Sequence, residues 1–262
     1  MNPIDILSLY NHHERIALTL PGCQKVVAPD LVKFVSNREH GSCISYSNIK
    51  ANELSQRITS EIDYFSQLKL SFQWHSYSTD TPNILEKHLV QQGFIPEDTS
   101  SFMILDLSAI DGQFSGTDMC IEVSDKQGIQ DAVRVQKRVW GADCHTQASH
   151  LIRLKEECPQ KIHIYVIYQD EKPVSSAWLM CNPDSPFGSI WAGSTLPQYR
   201  GKGFYSALLG KRIQDAKAKG LQYLTIHASK MSKPLVEKQG FTEVARYTTY
   251  FYNHAKDTYS LI

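Results

Sequence analysis

Residues 195–206, TLPQYRGKGFYS, decide how this chain is read. They set a compact Gln-x-x-Gly-x-Gly turn between the strand-like run GSIWAGST and a segment in which Leu209, Ile213 and Ala216 recur at helical spacing. Glycines at 201 and 203 let main-chain N–H groups approach a ligand closely, and the helix that follows adds the positive end of its dipole. Arg200 and Lys202 bring charge to the same rim. The pattern predicts a phosphate-binding loop.

The commoner nucleotide loops fit poorly. A P-loop ends in Gly-Lys-Ser/Thr, whereas Gly201-Lys202 is followed by Gly203 and Phe204. A dinucleotide fingerprint has a third glycine and an acidic residue at the end of the next strand, and neither is present.

The ordered surroundings resemble the GNAT superfamily of N-acetyltransferases. Its signature Arg/Gln-x-x-Gly-x-Gly/Ala is matched by Gln198-Tyr199-Arg200-Gly201-Lys202-Gly203, preceded by the frequent Pro197. Further on, the strand LTIHAS leads into KPLVEKQGF, which is similar to the family's short fourth helix and its closing Gly-Phe. The resemblance covers roughly residues 118–254. It implies an α/β fold, the GNAT acyl-CoA N-acyltransferase fold with a mixed central β-sheet. In that fold the fourth strand splays from the fifth, acetyl-CoA enters the opening, and its pyrophosphate rests on the glycine-loop amides. Carried over, those amides belong to Arg200, Gly201, Lys202, Gly203 and Phe204, with Tyr205 and Ser206 near the helix start and Gln198 opening the motif. Backbone groups around Ser194, Thr195 and Leu196 would align the pantetheine arm.

The implied reaction is direct attack of an amine on the acetyl carbonyl, with no metal and no acyl-enzyme. Its rate would come from orienting a deprotonated amine and stabilising developing negative charge. The acid and base are less legible. Many relatives carry a tyrosine in the short fourth helix where this chain has Val236, so Ser232, Tyr205 or an ordered water would have to protonate the thiolate. His227, in the strand beside the crevice, has the titration range of a base, with a structural role as the alternative. Glu122, near the end of the first strand of this half, is a candidate for acceptor binding. Trp178 and Trp191 read as strand core or as acceptor-pocket wall, with core packing preferred.

Length and composition suit one or two soluble domains. No signal-like start and no run of eighteen apolar residues occurs, so a cytoplasmic protein without a membrane partner is expected. The six cysteines form no close CxxC pair, which predicts buried reduced thiols and no metal knuckle. Net charge is zero but uneven: residues 1–110 hold 8 Lys/Arg against 12 Asp/Glu, and residues 196–238 hold 9 against 2. Positive potential there suits a phosphorylated cofactor. Nucleic acid is not expected as a partner, because no interleaved aromatic and basic platform extends along the chain.

The loop-like stretch at residues 108–117, SAIDGQFSGT, marks the expected boundary. It divides residues 1–110, an α/β domain, from a GNAT N-acetyltransferase domain at 118–262. Asp125 should cap a helix running to Val139 or Trp140, with Ile129, Ala132, Val133, Gln136 and Trp140 close to one face. A second helix is expected over residues 150–157, and IHIYVIY and VSSAWLM should pair across a QDEKP turn. In the first half, a strand, a short helix ending in Gly93-Phe94 and another strand parallel the segment that contains Gly240-Phe241. This suggests a tandem architecture whose N-terminal half is degenerate, since it has no Gly-x-Gly loop; an unrelated α/β domain is the alternative. The predicted activity is acetyl transfer from acetyl-CoA to a primary amine of a small molecule or peptide. A noncatalytic acyl-CoA-binding sensor or scaffold is the rival, and a homodimer stays open as the assembly.

Overall fold

A computed structural model of the chain describes residues 3–38, 41–112, 114–141 and 145–254. Helix α1 (Pro3–Tyr10) continues into a π-helical turn, Asn11–Ile16. Strands β1 (Cys23–Ala28), β2 (Leu31–Ser36) and β3 (Cys43–Ser47) follow, then α2 (Leu54–Gln67), β4 (Phe72–Tyr77), α3 (Leu85–Gln91), β5 (Ile95–Pro96) and β6 (Ser100–Asp106). The second half contributes β7 (Ile121–Val123), α4 (Lys126–Trp140), α5 (His145–Glu157), β8 (Ile162–Gln169), β9 (Lys172–Cys181) and β10 (Phe187–Thr195). It closes with α6 (Phe204–Ala218), β11 (Tyr223–Ala228), α7 (Lys233–Glu237) and β12 (Thr242–Tyr252).

Local chemistry accounts for these limits. The Asp125 side chain accepts the Gly128 N–H at 2.9 Å and starts α4, and left-handed Gly141 (φ 70°) ends it. Asp170 and Glu171, both left-handed, make the tight turn between β8 and β9. Pro173 is the second residue of β9, at the point where register with β8 shifts between Ile167 and Tyr168. The α5 helix begins at His145, earlier than expected. Cys23, Cys43, Cys120, Cys158 and Cys181 are free thiols, and Cys144 lies outside the described residues.

The chain divides into two compact units. The first comprises Met1–Met103, His227–Lys233 and Glu243–Ile262; the second comprises Ile104–Ile226 and Pro234–Thr242. The units therefore differ from the consecutive segments 1–110 and 118–262. Within the first unit the strand order is β1-β2-β3-β4-β12-β6, and within the second it is β6-β11-β10-β9-β8-β7, with β6 divided at Met103. Strand β12 thus pairs with β4, from Tyr247↔Tyr77 to Tyr252↔Phe72. Strand pairing is mixed in each unit. A parallel pair, β3/β4 or β10/β11, joins across a helix, while β1/β2, β2/β3, β4/β12, β7/β8, β8/β9 and β9/β10 run antiparallel. The first core gathers Ile58, Phe65, Phe72, Trp74 and Phe94, and the second Ile129, Val133, Leu151, Ile164 and Trp178. Among the described residues, no helix is long and apolar enough to cross a membrane.

The repeat suggested by the two Gly-Phe pairs has a matching backbone. The Phe94 N–H donates to Leu89 O at 3.1 Å and the Gly93 N–H to Val90 O at 3.1 Å. The Phe241 N–H donates to Val236 O at 3.2 Å and the Gly240 N–H to Glu237 O at 3.0 Å. Each pair is a Schellman closure with glycine at φ 91° and a buried phenylalanine beyond it. The order β3-α2-β4-α3-β6 is repeated as β10-α6-β11-α7-β12. Gly93→Ala and Gly240→Ala should each cost about 1–2 kcal/mol, the left-handed penalty of a Cβ, read as a lowered urea midpoint with unchanged m-value.

Candidate functional site

In the second unit β10 runs out of the sheet into the glycine loop. It pairs in parallel with β11 at Phe187↔Tyr223, Gly188↔Leu224 and Ser189↔Thr225, and no further among the described residues. Residues 190–195 go on beside β9 alone, to Thr195↔Ser175. The two neighbouring strands therefore part after Ser189, where the resemblance placed an opening.

The loop itself is a row of unsatisfied donors. Gly201 and Gly203 take φ values of 77° and 83°, and an added Cβ at either would meet nothing within 4 Å. Gly203 is the N-cap of α6, and the first intrahelical acceptor is its own carbonyl, reached by the Ala207 N–H at 2.9 Å. None of the N–H groups of residues 201–206 donates to another described residue. Six adjacent amides at a helix N-terminus, none spent on another described residue, form an anion cradle. The Arg200 Nε donates to Thr195 O at 3.3 Å, and the Lys202 ammonium lies 5.2 Å from the centre of the Tyr199 ring. The residues present thus fit a pyrophosphate group. Among the described residues, no group of three or more His, Cys, Asp or Glu side chains is arranged to hold a metal ion.

Above the cradle β10 is bulged. Its register with β9 shifts between Trp191 and Ser194, and Ala192 takes φ 53°. Gln136 on α4 braces the bulge: its Nε2 donates to Ala192 O and, at 3.1 Å, to Ser176 Oγ, while its Oε1 accepts from Ser194 Oγ at 3.1 Å. From α6, Arg212 Nη1 donates to Trp191 O at 3.4 Å. The Tyr205 ring closes against Gly193, where a Cβ would lie 2.8 Å from its Cε2. Ser175 Oγ donates to Ser194 O at 2.8 Å, and the Leu196 N–H donates to Val174 O at 3.0 Å. The Leu196 N–H is thereby committed to β9.

The sequence singled out Gln136 only as one position of an apolar helix stripe. An amide in such a stripe was the available signal, because burial obliges it to find partners. Trp140, expected on the same stripe, is instead 60% exposed and donates from Nε1 to Ser194 Oγ at 2.9 Å. The two strand tryptophans separate: Trp178 is buried in the core, and Trp191 is 44% exposed. Arg212, which the sequence did not mark, is buried, and its Nη2 lacks a hydrogen-bond partner.

The four candidates for acid–base work and acceptor binding divide between the units: Tyr205 and Glu122 belong to the second, Ser232 and His227 to the first. Tyr205 stands at the bulge, its phenol pKa raised by burial and partly offset by Arg212. Ser232 closes a turn with Ser229, whose carbonyl accepts the Ser232 N–H at 3.1 Å. Glu122 on β7 is gripped by His163 Nδ1 at 2.7 Å and Lys155 Nζ at 3.7 Å, and the His163 hydrogen bond leads in lowering its pKa. Strands β8 and β9 lie between β7 and β10, a separation of about 14 Å at the usual strand spacing. His227 belongs to the first unit. It stacks on Tyr247 at 3.8 Å between centroids, and its Nε2 meets Tyr77 Oη at 3.1 Å. Tyr77 in turn meets Tyr10 Oη at 3.0 Å. Burial lowers the His227 pKa to about 3, with His75 and Arg15 adding to the effect. Val236 is fully buried.

Residues 129–241 match the model of the acetyltransferase (GNAT) family. A GCN5-related N-acetyltransferase from Kribbella flavida superposes with a TM-score of 0.67 at 14% identity, covering 94% of this chain and 94% of its own. A GCN5-related N-acetyltransferase from Sphaerobacter thermophilus gives 0.60 at 14% identity, covering 95% of this chain and 84% of its own. A tandem GNAT protein from the clavulanic acid biosynthesis pathway gives 0.61 at 9% identity, covering 92% of this chain and 86% of its own. At such identities the likeness shows the fold, which is the GNAT fold. No curated relative matches the sequence.

Two half-buried imidazoles of the first unit make an acid-sensitive pair. Burial lowers His75 to about 4 and His227 to about 3, against about 6.5 in the unfolded chain. Below pH 6.5 the unfolded state binds more protons, so their contribution is full above that value and is lost as pH falls towards 3. The melting temperature should decline across that window, and His227→Phe should flatten the decline in a series of melts from pH 7 to pH 4.

Proposed function

We propose that this protein transfers an acetyl group from acetyl-CoA to a primary amine of a small molecule or peptide. Acyl transfer in general follows from the family, and the six open amides of residues 201–206 carry the step to a CoA thioester. Acetyl-CoA would supply the activated acyl group. The amides of residues 201–206 would hold its pyrophosphate, with the Arg200 and Lys202 charges on the rim and Gln198 opening the turn; the Arg200 N–H, expected among them, instead donates to Pro197 O at 3.2 Å. Backbone groups of Ser194 and Thr195, and the Leu196 carbonyl, would line the pantetheine arm.

Tyr205 is the proposed proton donor to the departing thiolate, because its raised pKa keeps it protonated at neutral pH and its ring lies at the bulge. Ser232 is the alternative donor. His227 is the proposed base; it is neutral above about pH 3, and Tyr77 holds one of its ring nitrogens. Glu122 would act on an acceptor only as part of its ion-paired group with His163 and Lys155. Residues 118–262 are proposed as the catalytic segment and residues 1–110 as a degenerate GNAT-like half. A cytoplasmic location and a homodimer belong to the same proposal.

A second reading, a noncatalytic acyl-CoA sensor or scaffold, is favoured by Val236. A buried aliphatic side chain stands where many relatives carry a proton donor.

Calorimetric titration with CoA and acetyl-CoA tests the shared premise. Wild type should bind both, and Gly203→Val should bind at least about tenfold more weakly with an unchanged far-UV spectrum, since valine resists the left-handed backbone of the cradle. Folded wild type that binds neither compound would sink both readings. Thiol release with a defined acylated amine then separates enzyme from sensor.

A further inference from the structure

Helix α6 carries a guanidinium that the second unit buries almost completely: Arg212 is 1% exposed. Its Nε donates to Leu208 O at 2.9 Å, one turn back, and its Nη1 to Trp191 O at 3.4 Å. Its Nη2 has no hydrogen-bond partner among the described residues. The one acidic residue of α6, Asp215, is spent on Tyr165 Oη at 2.7 Å and Lys211 Nζ at 2.8 Å. The groups that favour the charged guanidinium are instead Tyr205 first, then Tyr165 and Cys120. Burial raises the pKa of each of these three, so all are neutral at pH 7. A buried cation facing only weak acids is costly to keep.

Tyr205 stands on the same stripe of α6, two turns before Arg212. Gly193, in the bulge of β10, is where the two converge. A Cβ there would lie 2.8 Å from Tyr205 Cε2 and 3.5 Å from Arg212 Nη2. The missing side chain lets the half-buried ring and the unspent nitrogen face one point of the strand. Arg212 is also the charge that opposes the rise in the Tyr205 phenol pKa caused by burial. A phenol is a weaker acid than a thiol, so handing its proton to a departing thiolate runs uphill. A fixed cation beside the ring reduces that climb, because it attracts the phenolate and not the phenol.

We infer that Arg212 is a positioning residue whose unpaired nitrogen is kept for the Tyr205 phenolate, and that it thereby equips Tyr205 to give up its proton. The use of the pair rests on the acyl-transfer reading; the pairing itself does not. As the amine nitrogen bonds to the acyl carbon, the C–S bond breaks and the thiolate takes the Tyr205 proton. The proton lost by the amine returns to the phenolate through solvent.

The test replaces Tyr205 with 3,5-difluorotyrosine, whose more acidic phenol titrates within the range of the folded protein, and follows its fluorine resonance with pH. Adding Arg212→Met should move the midpoint upward, and Arg212→Lys, which keeps the charge, should leave it near its place beside arginine. With Tyr205 intact, thiol release from acetyl-CoA is assayed with n-butylamine and with glycylglycine. Arg212→Met should lower kcat about tenfold with KM and the CoA Kd within about twofold, and Arg212→Lys should keep most of the rate. A midpoint unmoved by Arg212→Met, or raised equally by Arg212→Lys, would overturn the pairing. Equal losses of kcat in the two variants would overturn the positioning role and leave Arg212 as a brace for Trp191 O. Wild type that binds acetyl-CoA and releases no thiol with either amine would count against acyl transfer, while the fluorine midpoint still decides the pairing.

Discussion

The functional architecture depends on one parting of strands: β10 leaves β11 after Ser189. A strand that abandons its neighbour exposes backbone groups, and each must find another partner or meet solvent. Much of the chemistry in the second unit answers that demand. Gln136 takes up the Ala192 carbonyl, Arg212 reaches the Trp191 carbonyl, and β9 follows the strand to Thr195. Where the chain turns away at Pro197, nothing replaces the lost partners, and the amides of the glycine loop stay open. The brace and the cradle are two parts of one backbone problem, solved in the first place and left for a ligand in the second.

The first unit repeats the topology without the cradle. Strand β3 pairs with β4 at Cys43↔Gln73 and Ile44↔Trp74, as β10 does with β11, and α2 joins them. Between β3 and α2 runs NIKANE, which has no glycine, and α2 starts at Glu53 with no open left-handed turn. Ionic and aromatic contacts fill this half instead. Arg15 grips Asp80 at 2.6 and 2.7 Å and lies 4.3 Å from the Tyr77 ring centre, and Lys33 meets buried Glu61 at 2.7 Å. Such groups hold a specific arrangement while offering no anion site.

The fold of the second half was legible because its signals are local. The Asp125 cap, the glycine turn at 198–203 and the helical spacing after it are read within a few residues each. So were the two Gly-Phe closures, whose left-handed glycines announce a helix end wherever they occur. What escaped depends on pairing between distant segments. Nothing at 108–117 reveals that residues 247–252 will pair with β4, since a strand's sequence states which face is apolar and not which neighbour it will choose. Trp140 misled for a similar reason: its spacing fits the buried stripe, but its ring turns to Ser194, a partner 54 residues on. The histidine in β11 was visible as a residue, but its packing among Tyr77, Phe102 and Tyr247 follows from three separate strands.

The placement of β12 also sets a timetable for synthesis. Strand β4 is complete early on the ribosome, yet the strand that covers its edge is made long after it. Until residue 252 has emerged, the first unit carries an unpaired hydrogen-bonding edge flanked by the apolar side chains of Phe72 and Trp74. An edge of that kind is a template for pairing with another chain. Nascent molecules on one message, each waiting for its own closing strand, are therefore exposed to one another throughout the interval between the making of β4 and the making of β12.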